Sequence, residues 1–155
     1  MQNEFMARAI ALSIENVKHG KGGPFGCVVV RHGKIIAEGA NEVTATKDPT
    51  AHAEIVAIRK ACNALGSFQL DGCEIYTSCE PCPMCLGAIY WARPARLYFA
   101  STAEDAARVG FDDRFIYEQL EVPYAERTIP AEQIMREEAK KAFALWRESA
   151  SKVEY

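Results

Sequence analysis

The sequence predicts an α/β fold with helices on both faces of a mixed sheet. Three observations carry that reading. Apolar spacing alternates along the chain between a three-to-four-residue period and short β-rich runs, in the order helix, paired strands, helix, strand, helix, strand. The two paired runs meet across His32-Gly33-Lys34, the pattern of a hairpin. The last two strands are separated by a helix-length segment, the crossover that parallel neighbours require.

Met6, Ile10, Ile14 and Val17 recur at helical spacing and define a first amphipathic helix, which ends before His19-Gly20-Lys21-Gly22-Gly23. After the loop Pro24-Phe25-Gly26, residues 27–31 and 35–38 form the hairpin strands, and 41–50 is a polar connection. Ile55, Ile58, Cys62 and Leu65 give the second helix, with Asp48 expected as its capping side chain and Pro49 as its early-turn proline. Residues 74–77 form the third strand, a helix follows from Pro83 to about Arg93, and 96–100 form a fourth strand parallel to the third. Beyond Ser101 come a short helical run to Val109, the segment Gly110-Phe111-Asp112-Asp113, and a helix through Leu120. Residues 122–133 give no clear element, a helix resumes from Ile134, and 149–155 trail out as a C-terminal tail.

The chemistry concentrates in Cys79-Glu80-Pro81-Cys82-Pro83-Met84-Cys85. Cys82 and Cys85, with a proline on each side of the first, can point at one ion. Alone, that pair fits a structural zinc site, a redox dithiol or, counting Cys79, an iron–sulfur cluster. His52-Ala53-Glu54 upstream decides among them. An imidazole with two thiolates is a three-ligand set that leaves zinc a fourth position for water. Glu54 lies roughly 200° round a helix from His52, so the two share a site only where a helix end points at it. Together, an HxE followed by PCxxC is the signature of zinc deaminases, whose glutamate moves protons without binding metal. Cys79 is expected to line the site as a strand-end thiol.

With 155 residues, one domain spanning 1–155 is expected. The first 17 positions carry Glu4, Arg8 and Glu15 inside their apolar pattern, unlike a secretory leader, and no stretch approaches the roughly 20 apolar residues of a membrane span. A soluble cytoplasmic protein is the expectation, with Cys27, Cys62 and Cys73 as buried free thiols. A net charge of −3, from 18 basic and 21 acidic residues, argues against a nucleic-acid partner.

The segments Gly22-Gly23-Pro24-Phe25-Gly26, Asp48 through Glu54, Thr77 through Arg93, Gly110-Phe111-Asp112-Asp113 and the terminal Glu154-Tyr155 together resemble the cytidine-deaminase-like zinc hydrolases over most of the chain. The resemblance implies a three-layer α/β/α fold with a five-stranded mixed sheet, the fifth strand short and lying within 131–145, where periodicity alone gives helix. It implies one Zn2+ per chain on His52, Cys82 and Cys85, with Glu54 as proton shuttle and a purine base as small-molecule substrate. The implied reaction is hydrolytic deamination of guanine to xanthine and ammonia. It adds a substrate pocket of Phe25, Asn41, Ala53, Trp91, Asp113 and Tyr155, with Asp113 also a candidate second proton carrier. It further implies a homodimer with exchanged C-terminal segments, so that Tyr155 caps the partner's site. Plainer readings stand beside these: Phe25 and Trp91 as core, Asn41 and Asp113 as turn or cap residues, Tyr155 as a frayed tail. The rival activities are tRNA adenosine deamination, deamination of cytosine or guanosine, and a noncatalytic zinc or iron–sulfur module.

Overall fold

The computed structural model describes residues 3–155; positions 1 and 2, which the reading of the N-terminus included, lie outside them. The chain divides between Asp113 and Arg114 into two compact units.

The first unit opens with α1 (Glu4–Lys18), whose start is fixed by Asn3, its side-chain oxygen accepting the Met6 backbone N–H at 2.9 Å. β1 (Gly26–Arg31) and β2 (Lys34–Ala40) form the expected hairpin. The two residues between them, His32 and Gly33, both have positive φ, 51° and 70°, the requirement of a two-residue turn whose twist matches the strands. A short α2 (Val43–Thr46) lies inside the stretch expected to be plain connection. Then come α3 (Ala53–Leu65), β3 (Cys73–Cys79), α4 (Pro83–Ala92), β4 (Arg96–Ser101) and α5 (Ala103–Ala107).

The strand order is β2-β1-β3-β4, with β1 antiparallel to both neighbours and β3 parallel to β4 across the α4 crossover. Strand alternation divides the core in two. Cys27, Val29, Cys73 and Ile75 pack with Ala53, Ala57 and Ala61 of α3 and Ile89 and Ala92 of α4. Val28, Val30 and Tyr76 face the other way, against Ala9, Phe5, Met6 and Leu12 of α1. These are the three layers. Their spacing is tight enough to require glycine on both faces: a Cβ on Gly26 would meet the Ala9 carbonyl of α1, and one on Gly39 the Ala53 carbonyl of α3.

Three expectations are corrected. Cys62, expected as a buried thiol like Cys27 and Cys73, is only partly buried against the core. The sheet among the described residues has four strands, not five. Within 131–145, where the fifth was expected, residues 131–135 have no ladder partner and from Arg136 the helical period prevails as α7 (Arg136–Glu148). Nor does Asp48 cap α3. Its Oδ1 accepts the Thr50 N–H at 2.8 Å and the Thr50 hydroxyl at 2.7 Å, a local turn that leaves His52 as the residue preceding the helix.

The second unit contains α6 (Arg114–Glu121), a 3-10 turn (Tyr124–Glu126) and α7. Local contacts hold it: the Arg127 guanidinium lies 4.0 Å from the Tyr124 ring centre, and Gln119 Oε1 accepts the Thr128 N–H at 2.7 Å. Neither α6 nor α7 has a buried residue, and Phe143 is 75% exposed. No helix of the described residues is long and apolar enough to cross a membrane.

Candidate metal centre

The residue before a proline is pushed to extended backbone, which is also the conformation a helix N-cap needs. Cys82, before Pro83, therefore sits at ψ 167° as the N-cap of α4, and His52 takes the same role for α3 at ψ 157°. Neither side chain bonds its own helix. They meet instead. His52 Nδ1 is 3.6 Å from Cys82 Sγ and 3.5 Å from Cys85 Sγ, the latter being fully buried in the first turn of α4. All three donor atoms lie within 4.8 Å of one another, so they could hold one metal ion. The helix-end geometry inferred from the HxE spacing is thus present: His52 just precedes α3, and Glu54 is its second residue.

The electrostatics of the trio are those of a cation site. Cys82 is pushed down to about 4, chiefly by the hydrogen bond from Cys85 and then by His52. Cys85 is pushed up, first by that same hydrogen bond with Cys82 and then by burial. His52 is raised, mainly by its contact with Cys82. The positive N-terminus of α4 further favours thiolate there.

Glu54 is 6% exposed, and burial lifts its carboxyl above the usual range against the hydrogen bonds from its own amide, Cys85 and Thr77. Its two oxygens have different neighbours. Oε1 accepts the Thr77 hydroxyl at 3.1 Å, whereas Oε2 lies 3.4 Å from Cys85 Sγ. Cys79 stays out of the cluster: its Sγ points to the Thr102 carbonyl at 3.6 Å, and burial pushes the thiol up to about 11. The cysteine triplet does not converge, so the iron–sulfur reading has no geometry behind it.

Of the other residues named from the sequence, Phe25 is held edge-on by Phe111, with ring centres 4.9 Å apart at 87°. Asn41 is buried, and its Oδ1 accepts the N–H groups of Gly23 and Val43, each at 3.3 Å. Burial raises the Asp113 carboxyl, opposed by a hydrogen bond from its own backbone, and the charges of Cys82, Asp112 and Glu80 raise it further. Ala53, the first residue of α3, is fully buried in the core. Trp91 lies in the last turn of α4 and is 63% exposed; Tyr155, in the second unit, is 69% exposed.

Residues 1–101 match the family of the cytidine and deoxycytidylate deaminase zinc-binding region. The chain belongs to that deaminase family. Zinc is the family's metal, and the donor set fits it, since one imidazole and two thiolates are the nitrogen and sulfur ligands zinc accepts at a three-protein-ligand catalytic site. The chain is similar to guanine deaminase of Bacillus subtilis, with 58% identity over 151 residues that cover 97% of each protein. Its fold is similar to the crystal structure of Bacillus subtilis guanine deaminase, with a TM-score of 0.96 and 57% identity over 100% of this chain and 99% of that one. Similarity to the tRNA-specific adenosine deaminase of Agrobacterium fabrum is 44% over 92 residues, 59% of this chain and 60% of that protein.

Two residues that touch candidate site residues were not legible in the sequence. Phe111 lies in the Gly110-Phe111-Asp112-Asp113 segment, whose pattern does not show that its ring braces Phe25. Thr77 reads as an ordinary strand residue. The available signal was its parity with Cys73 and Ile75, which places a hydroxyl in an otherwise apolar row facing α3.

Proposed function

We propose that this deaminase hydrolyses guanine to xanthine and ammonia, with zinc held by His52, Cys82 and Cys85. One observation carries the reading: a buried carboxylate, Glu54, stands beside a three-ligand centre in a chain similar to a guanine deaminase from end to end. When bound, zinc supplies Lewis-acid activation of water near neutral pH. Glu54 takes the proton that water gives up as oxygen adds at C2. It passes that proton to the adjacent ring nitrogen, then takes the remaining proton of the added hydroxyl and hands it to the amine as the C2–N bond breaks and the C2 carbonyl forms, so that guanine and water become xanthine and ammonia. Phe25 packs on the purine face, fixed in tilt by Phe111. Asn41, Ala53 and Trp91 complete the pocket, and Asp113 holds a ring N–H or relays a second proton.

The functional particle is a homodimer with exchanged C-terminal segments, in which Tyr155 caps the partner's pocket. The absence of any buried residue in α6 or α7 supports this, because such apolar faces need a partner. Six free cysteines support a cytoplasmic location.

Ammonia release from guanine, guanosine, adenine, cytosine and adenosine, together with a tRNA anticodon stem-loop, tests the assignment. Turnover of free guanine well above the others is expected. Preferential turnover of the stem-loop would replace it with the tRNA reading, against the net charge of −3.

A further inference from the structure

We propose that Thr77 is a positioning residue: its hydroxyl ties down one oxygen of Glu54 and leaves the other facing the His52, Cys82 and Cys85 cluster. Thr77 is 1% exposed, in an inner strand paired on one side with Cys27 of β1 and on the other with Phe99 of β4. Its neighbours of the same parity, Cys73 and Ile75, are core. A valine would fill that space with no polar atom to satisfy, and a buried hydroxyl is costly unless bonded. The hydroxyl does have a partner, the 3.1 Å contact to Glu54 Oε1.

The last torsion of a glutamate is broad and only weakly staggered, so packing alone does not choose which oxygen faces the reaction. A donor on a sheet strand does. With Oε1 held by Thr77, Oε2 is the oxygen left 3.4 Å from Cys85 Sγ. That oxygen takes the proton from water and passes it to substrate. Misplacing a reacting group by about 1 Å costs on the order of 10²-fold in rate.

The proposal builds on the deaminase reading for its rate assay, and its experiment has a second readout that does not. Thr77→Val keeps shape and removes the hydroxyl, whereas Thr77→Ser keeps the hydroxyl. In Thr77→Val, kcat for guanine is expected to fall about 10- to 100-fold with KM within about twofold and zinc content unchanged, and Thr77→Ser to recover most of the rate. In a Glu54→Gln background, Thr77→Val should change the residual rate no further. Independently, the carboxylate stretch assigned to Glu54 by its loss in Glu54→Gln should shift in the infrared spectrum of Thr77→Val and return in Thr77→Ser. A Thr77→Val enzyme with wild-type kcat overturns the proposal, as does a loss shared by KM or zinc content. An unshifted stretch overturns it whatever the substrate. A wild-type protein inert toward guanine but with the shifted stretch refutes the substrate assignment and leaves the contact supported.

Discussion

Gly39→Ala probes how closely the sheet and the metal centre are joined. The added methyl would meet the Ala53 carbonyl, with the Ala57 backbone nitrogen at 2.7 Å and the Ala57 Cβ at 3.1 Å. These are helix backbone and a short side chain, so no rotamer change relieves the clash; α3 or β2 must move. Overpacking of this kind costs about 1–3 kcal/mol. At about 2–4 °C per kcal/mol for a chain of this size, the melting temperature should fall by roughly 2–12 °C. The displaced carbonyl belongs to the residue after His52, so zinc should also be held less tightly. Gly87→Ala supplies the control: a Cβ there meets nothing within 4 Å, and in mid-helix the change should stabilise by about 0.5–1 kcal/mol. Thermal melts before and after chelation, with zinc content measured after dialysis, read both effects. A Gly39→Ala protein that melts with wild type and keeps its zinc would refute the claim that α3 rests directly on the backbone of β2.

Glu54→Gln should retain zinc while losing about 10²- to 10⁴-fold in turnover, since the amide cannot carry the proton; zinc content and ammonia release measured together check it. Cys85→Ser should lose zinc and melt earlier, because the centre ties α3 to α4, and the deficit should not be restored by added metal at micromolar concentration. Arg8 makes two 2.8 Å bonds to the Glu38 carboxylate and holds it below its ordinary 4.5. A depressed carboxyl stabilises fully above its unfolded value, and that contribution disappears as pH falls through the folded one. With both side chains about a third exposed, the pair is worth about 0.5–1 kcal/mol. Arg8→Ala should therefore lower stability at pH 7 by about that much, with the gap to wild type closing as pH falls below the ordinary 4.5 and through the depressed folded value, as read by denaturant melts.

What could be read from the sequence follows from where each element's partners lie. The hairpin was legible because His32-Gly33 and the flanking alternation act locally, and the parallel β3–β4 pair followed from the crossover alone. His52, Cys82 and Cys85 were legible because ligand spacing and prolines are short-range facts. Asp48 misled because an Asp-Pro-Thr segment suits a turn as well as a cap, and the Thr50 hydroxyl chose the turn. Residues 122–133 were opaque for a different reason: apart from the 3-10 turn at Tyr124–Glu126 they form no regular element, so no periodic stripe marks them. Thr77 was hidden by its ordinariness, since only the arrival of Glu54 from another element turns a strand threonine into a donor.

His52 and Cys82 occupy the positions where serine or aspartate usually secures a helix start, yet they give their side chains to each other. Each helix thereby forgoes a fastening worth about 1 kcal/mol. The ion becomes the latch for both ends at once, and stripping it should loosen the opening turns of α3 and α4 while the sheet beneath stays closed. Amide exchange that quickens at 53–56 and 84–86, but not along β1 and β3, would be the signature of a protein whose working centre is also its softest joint.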